Sequence, residues 1–219
     1  MTMDCNFTLE HYMEILQLAK KNGYEVRRLI DVARRGHDDA KVITMRHDID
    51  FNFVNPFRLG KLEHENGFSS TFFVRMHADS YNTLSYRNLK ILNELSSMGH
   101  EIGLHFENMF SGGEKIRMIK LLKETLEKCG NIKISGMAPH DSNRGGEMHT
   151  ALTKEELHEC GMVYDAISDI FTKGMKYISD SAGRWREGCA CNFIRENTPK
   201  LCVLTHPIWW FDKTPAENY

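Results

Sequence analysis

Three stretches of this 219-residue chain begin as apolar runs and end in ionisable side chains. They are 42–50 (Val-Ile-Thr-Met-Arg-His-Asp-Ile-Asp), 101–105 (Glu-Ile-Gly-Leu-His) and 201–210 (Leu-Cys-Val-Leu-Thr-His-Pro-Ile-Trp-Trp). A buried parallel strand reads as a near-continuous apolar run, and in β/α architectures the chemistry collects at the carboxyl ends of the strands. Asp48 and Asp50 lie two residues apart, so an extended chain puts both carboxylates on one face. Carboxylates and imidazoles converging from separate strands make either a metal site or an acid/base site.

The segments between them alternate. A helix is predicted over residues 8–21, capped by Thr8 and stopped by Gly23. A short strand over 24–29 and a charged surface loop over 31–41 follow. Asn55-Pro56 reads as a cap followed by proline at the first helical position. Strands are predicted at 69–74, 132–137, 162–167 and 176–179, and helices along Leu89–Met98 and Ile116–Cys129. Thr153 to Glu156 has the form of a capping box. Seven principal strands separated by helices imply a parallel sheet with right-handed crossovers. The first strand is not followed by a Gly-rich dinucleotide fingerprint, so a closed or nearly closed β/α barrel, one domain over 1–219, fits better than a Rossmann sheet.

Composition narrows the partners. A net charge of −2 leaves no basic footprint for nucleic acid. No apolar stretch approaches the roughly 20 residues of a membrane span, and the amino terminus has neither the basic nor the apolar region of a signal peptide, so a cytoplasmic protein is expected. The six cysteines are read as reduced structural thiols, because the Cys189-Ala-Cys191 spacing is not that of a zinc knuckle or a redox motif. His11, His37, His64, His149 and His158 are read as solvated and His100 as a structural hydrogen-bonding residue. His47 is either a support behind the site or a substitute ligand.

The motifs resemble those of the polysaccharide deacetylases of the NodB-homology superfamily, carbohydrate esterase family 4. Thr71-Phe-Phe-Val74 resembles the family's second strand. Gly99-His-Glu-Ile-Gly-Leu-His105 resembles the segment that supplies the first histidine ligand, and Leu204-Thr-His206-Pro the final strand with the catalytic acid. The resemblance spans roughly residues 41–212. Arg46-His-Asp-Ile-Asp50 and His206-Pro-Ile-Trp-Trp210 further resemble a divergent subgroup found among surface-polysaccharide genes.

The resemblance implies a distorted (β/α)7 barrel that removes an N- or O-linked acetyl group from a sugar or a surface-polysaccharide precursor. It implies one divalent metal ion, zinc by its tolerance of mixed carboxylate and imidazole ligands. Asp48 would be the general base, Asp50 and His105 metal ligands, and His206 the general acid; the alternative exchanges Asp48 for Asp50 as ligand. The family's paired aspartates are split here by Ile49, and Met109 stands where its second histidine would be. His140 is either the replacement ligand or a solvated loop histidine. Arg46, Arg186 in the loop after the sixth principal strand, and Trp210, which shares strand parity with His206, are expected to contact substrate. The rival from another class is a carbohydrate-binding relative that kept the barrel and lost the metal; a serine-triad hydrolase is disfavoured because no Gly-x-Ser-x-Gly elbow occurs.

Overall fold

The computed structural model describes residues 5–36, 38, 40–107, 112–140 and 150–218. His37, Met109 and all of the polar loop over 141–149, His149 included, lie outside the described residues. The first helix, α1 (Leu9–Lys21), starts where expected, with the Thr8 side chain accepting from the His11 backbone N–H. Then come β1 (Glu25–Arg27), α2 (Leu29–Arg35), β2 (Val42–Ile49), α3 (Val54–Glu65), β3 (Thr71–Arg75), α4 (Tyr86–Ser97) and β4 (Glu101–Glu107). The second half adds α5 (Gly112–Gly130), β5 (Ile134–His140), α6 (Lys154–Cys160), β6 (Tyr164–Asp165), α7 (Asp169–Thr172), β7 (Lys176–Ser179), α8 (Ala190–Arg195) and β8 (Lys200–Thr205).

All eight strands join one sheet, and every pairing is parallel. The seven principal strands run in the order β6-β5-β4-β3-β2-β8-β7, a curled half-barrel. The short β1 pairs with the first half of β2, at Val42 to Thr44, and β3 pairs with the second half, from Arg46.

Period-two alternation sorts each strand into an inner and an outer face. On β2 the inner set is Val42, Thr44, Arg46 and Asp48, and the outer set is Ile43, Met45, His47 and Ile49. The outer residues pack under the helices: Ile43 and Met45 join Tyr12, Ile15, Leu16 and Ala19 of α1. Phe72, Leu104 and Phe106 join Leu92 and Leu95 of α4 and Ile119 and Leu126 of α5. Toward the amino-terminal end the interior holds an apolar cluster of Leu29, Val42, Phe73, Phe171 and Cys202, with Thr71 and Glu101 buried beside it. Two glycines make room there, since a Cβ at Gly103 would meet the Phe73 ring at 2.4 Å and one at Gly136 the Tyr164 ring at 2.0 Å.

Several local expectations are corrected. Residues 29–35 form a helix rather than a surface loop, and the cause is tertiary. Thr71 Oγ1 accepts from the Leu29 N–H at 2.9 Å and Glu101 Oε2 from the Ile30 N–H at 3.0 Å, so side chains of the sheet cap α2. α3 begins at Val54, ahead of Pro56, because Asn52 Oδ1 rather than Asn55 accepts the first free backbone N–H. β5 runs on to His140, which therefore ends a strand instead of lying in a loop. The capping box of α6 is present in full. No helix among the described residues is long and apolar enough to cross a membrane.

Candidate active site at the strand ends

The inner-face polar residues meet at the carboxyl ends of β2, β4, β5 and β8 around a cavity of about 380 Å³. Arg46, Asp48, Asp50, His105, His140, Arg186 and His206 all line it. Seven of the eight residues singled out from sequence thus share one space.

Asp48 is buried and held by a two-pronged ion pair, Arg46 Nε to Oδ1 at 2.8 Å and Nη2 to Oδ2 at 2.7 Å. Burial alone would raise its pKa; the guanidinium beside it, helped by His105, brings it down to about 2. Asp48 is therefore an anion at any working pH. Arg46 is 3% exposed and lines the cavity, with two of its N–H donors engaged by Asp48.

His105 donates its Nδ1–H to the Ala138 carbonyl at 2.9 Å, since a carbonyl can only accept. Its Nε2 then faces Asp48 Oδ2 at 3.2 Å and Asp50 Oδ1 at 3.6 Å. Burial pushes the imidazole's pKa down despite both carboxylates. With Nδ1 engaged by the carbonyl, Nε2 and two carboxylate oxygens converge on one point that a cation would satisfy. His140 repeats the pattern. Its Nδ1 lies 2.9 Å from Glu107 Oε2, and its Nε2 lies 3.7 Å from Asp50 Oδ1. Burial would raise the Glu107 pKa, but His140 and Arg75, whose Nε donates to Glu107 at 2.6 Å, hold it below the usual carboxylate range. A carboxylate behind a ligating histidine fixes the ring and raises its basicity.

Asp50 Oδ1 is buried and has no hydrogen-bond partner; among the described residues it is the only buried carboxylate oxygen in that state. One donor atom each from Asp50, His105 and His140 lies within 4.8 Å of the other two. Two imidazole nitrogens and a carboxylate oxygen, with a cavity in front, fit a catalytic zinc with an open position.

His206 faces Asp50 from the other side, Nε2 to Oδ2 at 3.7 Å. Its Nδ1 lies 2.6 Å from Asp180 Oδ1, and its backbone N–H donates to both Asp180 oxygens at 3.0 Å. Burial would lower the His206 pKa, but the bond to Asp180 and the surrounding carboxylates raise it. Asp180 is itself fully buried and accepts a further hydrogen bond from Trp210 Nε1 at 3.0 Å.

Trp210 is the expectation that fails. Only 1% exposed, it stacks edge-on against Tyr12 and Phe7 instead of facing the cavity. The parity argument breaks because β8 ends at Thr205 and residues Pro207–Trp209 coil into a 3₁₀ turn. The residues missed were supports: Asp180, Glu107 and Arg75. Glu107 sits two residues beyond His105 on the same face of β4, so strand parity carries its signal. Asp180 follows β7 directly but with the opposite parity to Tyr177, which lines the cavity, and only the fold brings it behind His206. His47 points outward, away from the cavity, and is not a ligand.

No family model matches the sequence, and no curated protein does. Solved structures do match by fold. A family 4 carbohydrate esterase from Bacillus anthracis is 18% identical, over 94% of this chain and 80% of that chain, with a TM-score of 0.51. The Streptococcus pyogenes deacetylase PplD, solved in complex with acetate, is 18% identical over 71% of this chain and 69% of that one, at 0.52. A mutant of the peptidoglycan deacetylase PdaC from Bacillus subtilis is 18% identical over 82% and 80%, at 0.51. The half-barrel, its strand order and these neighbours agree: the chain has the fold of the family 4 carbohydrate esterases, the polysaccharide deacetylases of NodB homology.

Proposed function

We propose that this protein is a metal-dependent hydrolase that removes an N- or O-linked acetyl group from a sugar or a surface-polysaccharide precursor. The observation that carries the reading is Asp50 Oδ1, a buried carboxylate oxygen without a hydrogen-bond partner, facing the Nε2 atoms of two histidines whose Nδ1 atoms are already engaged. Asp50, His105 and His140 would hold the ion. When bound, a divalent cation supplies Lewis acidity and lowers the pKa of water.

The chain's own residues supply the rest. Asp48, kept ionised by Arg46, accepts the proton of the attacking water. The strong ion pair makes it a weak base, so its proton is transient. His206, kept protonated by Asp180, donates from Nε2 to the departing nitrogen or oxygen of the sugar. Asp180 is a positioning residue, and Trp210 holds Asp180. Arg186, exposed and at the cavity wall, is the remaining cation for the substrate's hydroxyl or anionic groups. The acetate bound to the Streptococcus pyogenes deacetylase is the product such a reaction releases.

The test is acetate release from N-acetylated and O-acetylated oligosaccharides by zinc-loaded protein, beside the Asp50→Ala variant. Release by wild type alone supports the reading. Glycan binding with no acetate release from any acetylated sugar, and no metal at the cavity, would instead favour the binding protein that Met109 suggests.

A further inference from the structure

A second cluster of metal-binding side chains lies outside the cavity, where the amino-terminal segment and α1 pack on α8. Cys5 precedes α1 and His11 lies in its first turn; Cys189 is the residue before α8 and Cys191 lies in α8's first turn. Cys5 Sγ is 3.4 Å from Cys191 Sγ, and His11 Nε2 is 3.3 Å from Cys189 Sγ. One donor atom from each of the four lies within 4.8 Å of every other. None of the four lines the cavity.

The expectation that His11 is solvated is thereby corrected: it is 2% exposed. Its Nδ1 lies 3.0 Å from Glu14 Oε2, where the carboxylate accepts, so Nε2 turns its lone pair toward the sulfurs. This is the same carboxylate-backed arrangement that orients His140. Arg195 Nη1 lies 3.3 Å from Cys191 Sγ and donates to it. A disulfide is not the explanation, since bonded sulfurs lie about 2.05 Å apart. Tetrahedral zinc, with bonds of about 2.3 Å to sulfur and about 2.0 Å to nitrogen, sets its ligand atoms roughly 3.5–3.8 Å from one another. The two observed separations, 3.4 Å and 3.3 Å, fall just short of that range.

We propose that Cys5, His11, Cys189 and Cys191 form a second metal site, closed around a structural zinc ion. Three thiolates and an imidazole fill all four positions and leave none for water, the signature of a structural rather than a catalytic zinc. Loading the site releases the thiol protons. The ion would tie the amino-terminal segment to the start of α8, next to the stack of Phe7 on Trp185 and Trp210. Cys189 also ends the loop that begins at Asp180 and carries Arg186, so the ion would pin the far end of the loop that serves the cavity. A one-residue gap between cysteines, with the other two ligands 178 or more positions away, hides the site from spacing rules.

The proposal does not depend on the deacetylase reading, and cobalt separates the two sites. The metal-stripped full chain, titrated with Co²⁺ under reducing conditions, should show sulfur-to-cobalt charge-transfer absorption saturating at one equivalent. The Asp50→Ala/His105→Ala variant, which lacks the other site, should keep that band and retain one equivalent of zinc as purified. Cys189→Ser/Cys191→Ser should lose both band and ion; should it fail to fold, Cys5→Ser, at the solvent edge, should weaken the band. Cobalt binding to the wild type without a sulfur band would overturn the site. So would an undiminished band in the serine variants, or a Cys5–Cys191 disulfide in the native protein by non-reducing mass spectrometry.

Discussion

The two faces of β2 carry clusters of similar composition and opposite character. On the outer face, Glu63 of α3 accepts hydrogen bonds from Tyr12 OH at 2.5 Å and Ser70 Oγ at 2.6 Å, and lies 3.2 Å from His47 Nε2. His47 Nδ1 meets Thr205 Oγ1 at 2.6 Å, and His100 bridges Ser70 and the Gly60 carbonyl. A carboxylate and two histidines are present, just as in the cavity, but each has found its partners inside the protein. On the inner face Asp50 Oδ1 has none, and both histidines aim Nε2 at it. Residue type does not separate a structural network from a reactive one; the unsatisfied carboxylate oxygen does, because leaving a buried acceptor unpaired is costly and calls for an explanation.

The largest effects are expected from the inner cluster. His105→Ala should bring acetate release to background and remove the cavity's metal, with the fold intact by circular dichroism. His206→Ala should cost about 10²- to 10⁴-fold in turnover while metal content stays unchanged. The raised pKa of His206 sets the sign of the pH dependence: as the acid it is competent below its folded pKa, and the rate falls as pH rises through that value. Asp180→Asn removes the main cause of the rise, so the alkaline limb of the pH–rate curve should move to lower pH. Glu107→Gln should weaken metal affinity or activity by about 10- to 100-fold, the usual cost of losing the carboxylate behind a ligating histidine.

The outer network should respond in the opposite sense. Glu63→Gln strands Ser70 or Tyr12 and is expected to cost about 3 kcal/mol in denaturant unfolding, with turnover per folded molecule unchanged. Burial would raise the Glu63 pKa, but His47 and then His100 hold it below the usual value. A depressed carboxylate stabilises above its unfolded pKa of about 4.3, and that contribution is lost as pH falls through the folded value. The variant's stability should therefore vary less with pH below that point than the wild type's.

The legibility of these features follows the same division. The strands, the barrel and the inner-face residues announce themselves because burial on both faces forces apolar runs, and a charged residue at the end of such a run stands out. His140 and Asp50 needed the register between strands to bring them together. α2 was hidden because its caps come from Thr71 and Glu101, more than forty residues away. Trp210 escapes strand parity because β8 ends at Thr205 and the chain coils into a 3₁₀ turn before it. His47 and Glu63 sit in helix- and strand-compatible positions, and only the fold reveals that each satisfies the other.

The most direct test is zinc-edge anomalous scattering from crystals of the zinc-loaded protein. A peak is expected between Asp50 Oδ1 and the Nε2 atoms of His105 and His140, and none within the Glu63 network. A well-ordered cavity with no peak at Asp50, in crystals whose zinc is bound elsewhere, would contradict it.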